Sequence, residues 1–190
     1  MLDSYGYLSV LVSIILGLGI TNLLTGFAGL VRERARVRMY TPVAIWMATL
    51  FLANVQMWWS MFELVGVQHW TFAKFMAVLF QPVALFLTSA LIVPDLAGEG
   101  TIDLKKGFFG ELRWLGCGLV AMLAASVAKN LLIEGDMELI DIAAHAAFAL
   151  LAMLAIFVRS EIVHRIAAPT GLVLLLAYTG FLFADLGEFG

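Results

Sequence analysis

The stretch Tyr5 to Leu30, YGYLSVLVSIILGLGITNLLTGFAGL, contains no charged residue and no proline. A helix that crosses the hydrocarbon core of a bilayer needs about 20 mostly apolar residues, so this stretch reads as a spanning helix. Five more of the same kind follow: Thr41 to Val65, Thr71 to Val93, Phe108 to Leu131, Leu139 to Arg159 and Ala168 to Leu186. They nearly exhaust the 190 residues, of which 63% are hydrophobic and 13% charged, with a mean hydropathy of +0.99. A soluble domain carries roughly 25% charged residues, and this chain has too little polar surface to cover itself in water. The expected fold is an all-α integral membrane protein, a six-transmembrane-helix bundle forming one polytopic domain over residues 1–190. The longest connection, Pro94 to Gly107, is too short to hide a soluble domain.

Punctuation within the chain fits this division. Pro42, Pro94 and Pro169 fall at expected helix ends, where a missing N–H costs little, while Pro82 falls inside the third span and is expected to kink it. The opening MLDSYGY has no basic segment of the kind that precedes a secretory signal, so the first helix is expected to be retained. The single Cys117 excludes a disulfide within the chain, and a pI near 5.5 is not the footprint of a nucleic-acid binder.

Basic residues orient the bundle. Arg32, Arg34, Arg36, Arg38, Lys105, Lys106, Arg113, Arg159 and Arg165 fall on one side of it, against Lys74 and Lys129 on the other. The positive-inside rule then places the first, third and fifth connections in the cytoplasm and both termini outside. Tyr40, Trp46 and Trp114 lie near the inner interface and Tyr5, Tyr7 and Trp70 near the outer one, as an aromatic belt requires. A bacterial inner membrane is the simplest location. The segments VRERARVRMYTP and VRSEIVHRIAAP align without a gap, pairing Arg32 with Arg159, Arg38 with Arg165 and Pro42 with Pro169. Either the two hairpins share an origin, or any cytoplasmic turn favours basic residues and a following proline.

Two patterns stand out. In the first helix Ser9, Ser13, Gly17, Thr21, Thr25 and Gly29 recur at every fourth position. Small residues at that spacing make a flat ridge on which helices pack closely in lipid, so Ser13, Gly17, Thr21, Thr25 and Gly29 are expected to meet another helix of the bundle or another subunit, with Asn22 bonding across. The second pattern is polar and lies in the outer half. Lys74, Gln81, Thr88 and Asp95 are spaced by seven; Gln56, Ser60 and Glu63 share a helix face, as do Asp141 and His145; Ser126, Lys129, Asn130, Tyr178 and Asp185 fall at similar depth.

Ionisable groups inside spans usually face the bundle interior or a wet cavity. Gln56, Glu63, Lys74, Gln81, Lys129, Asp141 and His145 are therefore expected to line a vestibule open to the outside, through which an ion or small polar solute is bound or conducted. The competing reading is that the charged ones only snorkel into the headgroups. His145, with Asp141 one turn away, is either a proton-transfer or ligand group or an interhelical hydrogen-bond partner. A metal there would need Glu134, Asp136 or Glu138 as further ligands, and no metal site is expected. The alternating arginines of RERARVR lie outside the apolar stretch and mark topology, not voltage sensing. No GxSxG, HExxH, Walker or dinucleotide-binding glycine motif occurs.

Three functions follow from these readings. The first is the ion or solute vestibule. The second is an accessory or structural subunit that docks into a homo-oligomer or larger membrane complex through the small-residue ridge. The third, an enzyme acting on lipid or quinone, rests only on Asp141 with His145. The lipid bilayer is the expected surrounding partner, and no cofactor is assigned.

Overall fold

A computed structural model describes residues 4–96, 100–133 and 135–184. It contains six helices: α1 (Ser4–Arg32), α2 (Thr41–Ser60), α3 (Phe72–Ile92), α4 (Leu104–Ile133), α5 (Leu139–Phe157) and α6 (Glu161–Ala184). Five of them, all except α2, are long and apolar enough to cross a membrane. Among the described residues the regular structure is helical apart from two-residue strands β1 (Val37–Arg38) and β2 (Ile102–Asp103), which pair in parallel.

Local chemistry sets several helix ends. Pro42 sits in the first turn of α2, where its missing N–H is no loss. Thr71 caps α3 by accepting the Lys74 N–H at 3.3 Å, and Asp103 caps α4 by accepting the Lys106 N–H at 3.0 Å. Val93 turns extended before Pro94, as a residue preceding proline does. Pro82 lies inside α3, as its position in the sequence implies. Beyond Ser60 the chain tightens into a 3-10 turn, Met61–Gly66, that carries Glu63.

The sixth helix departs from the sequence reading. It starts at Glu161, not Ala168, and Pro169 lies within it. The charged run read as a connection is helical because its charges have partners: Glu161 pairs with Lys105 and with Arg165, the latter at 2.9 Å. The α5–α6 turn is correspondingly brief, and its conformation differs from the α1–α2 connection, where Arg38 is in a strand.

α2 is an inner helix. It packs against α1, α3 and α6, and its buried Thr49 and Asn54 bond to their own helix, at Ile45 O (2.9 Å) and Leu50 O (2.8 Å). Asn54 also donates to Ser89 Oγ on α3 at 3.2 Å, and Asn22 on α1 donates to Ser89 O at 3.4 Å.

The small-residue ridge of α1 is turned outward. Ser13, Gly17, Thr21 and Thr25 are exposed; of the two glycines in the ridge, a methyl group at Gly17 would meet nothing within 4 Å, while one at Gly29 would meet Leu96. The face that packs is the opposite one: Leu8, Val12, Leu16, Leu23 and Leu30 are all at most 4% exposed. Gly19 and Gly26 lie among them and admit Asn54 and Val93 to the backbone. Two residues along a helix turn the direction by about 200°, so Gly17 and Gly19 face nearly opposite ways. Gly116 against Ala152 and Ile156, and Gly118 against Thr88, make similar close approaches between α4 and its neighbours α5 and α3.

Candidate functional site

One cavity of about 460 Å³ lies among α2, α3, α4, α5 and α6. Ligand pockets typically enclose roughly 300–1,000 Å³. α2 contributes Trp46, Thr49, Leu50, Gln56 and Ser60 to its walls, and the 3-10 turn contributes Glu63. Gln81 comes from α3, Ser126, Lys129 and Asn130 from α4, Asp141, His145 and Phe148 from α5, and Tyr178 from α6. Of the seven residues expected along a pathway, the structure brings Gln56, Glu63, Gln81, Lys129, Asp141 and His145 to this cavity.

Lys74 does not line it. The cavity reaches α3 at Gln81 and Leu85, whereas Lys74 is in that helix's first turn. Thr88, seven residues beyond Gln81, is buried against α4 and bonds Ala84 O at 2.8 Å, and Asp95 is exposed past the helix end. One face of α3 thus meets different surroundings along its length. Asp185 and Glu134 lie outside the described residues. Among the described residues, Asp136, Glu138 and His145 do not converge into a metal-holding group.

The polar groups hold one another in defined poses. Tyr178 donates its hydroxyl to Asp141 Oδ1 at 2.8 Å, joining α6 to α5. His145 Nδ1–H donates to the Asp141 carbonyl oxygen at 2.7 Å, which fixes the ring and leaves Nε2 as its other polar position. Lys129 is 8% exposed, and its Nζ stands 3.9 Å from Glu63 Oε2, a loose pair with a half-exposed carboxylate. Gln81 Oε1 and Asn130 Oδ1 are buried with no hydrogen-bond partner among the described residues. Most buried polar atoms are satisfied, and Tyr40 Oη, Asn54 Oδ1 and Trp70 Nε1 share this unsatisfied state elsewhere among the described residues.

Toward the basic end the cavity becomes apolar, with Leu50, Leu119, Leu151 and Trp46. Below these lies a void of about 20 Å³, roughly the space of one water molecule. An aromatic cluster closes this end: Tyr40, Phe108, Phe109 and His164 meet at ring-centroid distances of 5.4–6.2 Å. His164 is 2% exposed and donates from Nε2 to the Val158 carbonyl at 2.7 Å. Burial, assisted by Glu161 and opposed by Arg165, pushes the Tyr40 phenol above its ordinary range.

The apolar inner walls and the buried His164 were not singled out in the sequence. Leucines toward a cavity and leucines toward lipid are the same residues at the same spacing, so no local signal separates them. His164 lay in a charged run that read as a connection. The chain matches no family model, no curated protein and no solved structure.

Proposed function

We propose that this protein is a six-span membrane protein, both termini outside, that binds a small ion or polar solute in a cavity entered from the outer side. The observation that carries the reading is the joining of Gln56, Gln81, Lys129, Asn130, Asp141 and His145 from four helices around one space. Intramembrane polar groups are costly and mark ligand or ion sites by default. Binding is favoured over passive conduction because the polar lining stops in mid-bundle and the inner end is closed by aromatic rings. A bacterial inner membrane fits the strong asymmetry of basic residues.

α2 takes its place as the sixth span by length, since its 20 residues extend about 30 Å. The gathering of the basic connections supports the orientation. β1 pairs with β2, and Lys105 with Glu161, so the first, third and fifth connections meet at one end, as alternating spans require. Reporters active only in the cytoplasm, fused to either terminus, are expected to stay silent; a signal from either one reverses the orientation.

The cavity is tested by chemistry from outside. With Cys117 replaced by Ser, Gln81→Cys and His145→Cys are expected to react with a membrane-impermeant maleimide added externally, while Leu150→Cys, exposed on the outer surface of α5, is not. A thiol in hydrocarbon is neither ionised nor reachable. Unreactive cysteines at both cavity sites in a stably folded protein would sink the reading. One observation favours an accessory-subunit role as a second reading: the outward ridge Ser13–Gly17–Thr21–Thr25 leaves room for a helix of another chain.

A further inference from the structure

The cavity is polar at its outer end and apolar at its inner end. On α2 its lining runs from Ser60 to Trp46, about 21 Å of helix. A space of about 460 Å³ drawn out over that length has room for one hydrocarbon chain and not for two. Water fits its inner half poorly, because an ordered water takes two to four polar partners and the side chains of Leu50, Leu119 and Leu151 offer none.

At the outer end Lys129 and Asp141 have partners, in Glu63 and in the Tyr178 hydroxyl. The amides do not. Asn130 is 6% exposed, and neither its side chain nor that of Gln81 makes a hydrogen bond among the described residues. Their oxygens are shut off inside the wall, so what each turns to the cavity is its amide nitrogen. Asn130 Nδ2 and Gln81 Nε2 are neutral donors, and with the neighbouring charges already partnered they select an uncharged acceptor.

The helices round the cavity are joined unevenly. α5 packs chiefly on α4 and α6 chiefly on α2, and of the neighbouring pairs that enclose the space α5 and α6 touch least. They come close near their inner ends, where Leu151 flanks Gly171, and farther out the Tyr178–Asp141 bond reaches across between them. Phe181 on α6 lines the cavity and is also 52% exposed, so its ring borders both the cavity and the outside of the bundle.

Resting on the reading of the cavity as a binding site on the outer side, we propose that its solute is a single-chain lipid with an uncharged, acceptor-bearing head, a monoacylglycerol being the simplest, which enters from the outer leaflet between α5 and α6. The ester carbonyl accepts from Asn130 and Gln81. The chain runs inward past Phe148 and Leu151 toward Trp46.

The test uses the whole chain in lipid nanodiscs and a monoacylglycerol brominated at the far end of its chain, since bromine quenches an indole only on close approach. Trp46 is 8% exposed and lines the cavity, so its share of the signal, obtained by difference from Trp46→Phe, reports a chain inside the bundle. Saturable quenching, displaced by the unbrominated lipid, is expected. Asn130→Leu and Gln81→Leu are each expected to weaken it about fivefold, the worth of one neutral hydrogen bond, and a brominated alkane of equal length, which makes neither bond, is expected to bind about twentyfold more weakly. The brominated amine and carboxylate are expected to bind about tenfold more weakly than the ester, since each buries a charge without a free partner. Both leucine variants are expected to keep the unliganded melting temperature, because neither amide bonds within the protein, and either one suffices if the other fails to fold. Tyr178→Phe, which removes the bond across the seam, is expected to speed the onset of quenching severalfold.

An alkane that binds as tightly as the ester would mean an apolar crevice with no recognition of the head, and an amine or carboxylate that binds as tightly would mean a site for charge; each overturns the proposal. So does wild-type affinity in both leucine variants. Unchanged onset in Tyr178→Phe overturns the entry between α5 and α6. Absence of saturable quenching overturns the lipid itself; if Gln81→Cys and His145→Cys are nonetheless labelled from outside, the solute cavity stands without the lipid, and if they are not, both readings fall.

Discussion

Gly19→Leu is expected to destabilise the protein by about 3 kcal/mol or more, or to prevent its accumulation in the membrane, while Gly17→Leu changes stability by no more than about 0.5 kcal/mol. A single carbon at Gly19 would already lie 2.7 Å from Asn54 Oδ1. Asn54 cannot retreat without losing its bonds to Leu50 O and Ser89 Oγ, so the larger side chain must push α1 away from α2. At Gly17 the space is open. Thermal unfolding in detergent, followed by loss of the monodisperse peak in size exclusion, measures both. Packing of the ridge inside the bundle would instead make Gly17 a sensitive site. If Gly17→Leu stays folded but shifts from a larger assembly to a monomer, the accessory-subunit reading gains.

His164→Ala is expected to lose about 3 kcal/mol, through lost packing against Phe108 and Phe109 and through an orphaned carbonyl at Val158. Val158 is the residue that caps α5 after Phe157, and its carbonyl has no following turn of α5 to donate to it. His164→Phe separates the two contributions. It keeps an aromatic ring of similar bulk but no donor, so it should lose only about 1–2 kcal/mol, the cost of the unmade bond. Chemical unfolding of the two variants against wild type decides this. A loss in His164→Phe as large as in His164→Ala would assign the whole effect to the hydrogen bond, and no loss in either would mean the turn is held by Lys105–Glu161 instead.

Much of the candidate site was legible because intramembrane polarity is rare. Gln56, Gln81, Asp141 and His145 stand out against apolar neighbours, and the cost of placing them in lipid requires an inner location whatever the fold. Lys74 obeys the same spacing as Gln81 and still falls outside the cavity, because seven residues along α3 carry it to the first turn, beyond the cavity's reach. Which partner the ridge meets was not legible for a related reason. Small residues at every fourth position define a face, but whether that face meets a helix or the outside depends on which way α1 is rolled, and its roll is set by the leucines from Leu8 to Leu30 and by the fit of Asn54 at Gly19.

The amino-acid sequence by itself determined that the chain is helical and built of long apolar segments, where most of them begin and end, and which polar side chains must avoid lipid. Those properties are local sums over about 20 residues, or the cost of one group in hydrocarbon. Tertiary structure alone decided that α2 is an inner helix, that Gly19 and Gly26 rather than Gly17 admit neighbours, that the run from Glu161 to Arg165 is helical, and that the polar layer continues into an apolar chamber ending at Trp46. Each of these depends on which faces of different helices meet. In a chain whose lipid-facing and core-facing residues are drawn from the same apolar set, no pattern within one helix distinguishes the two faces.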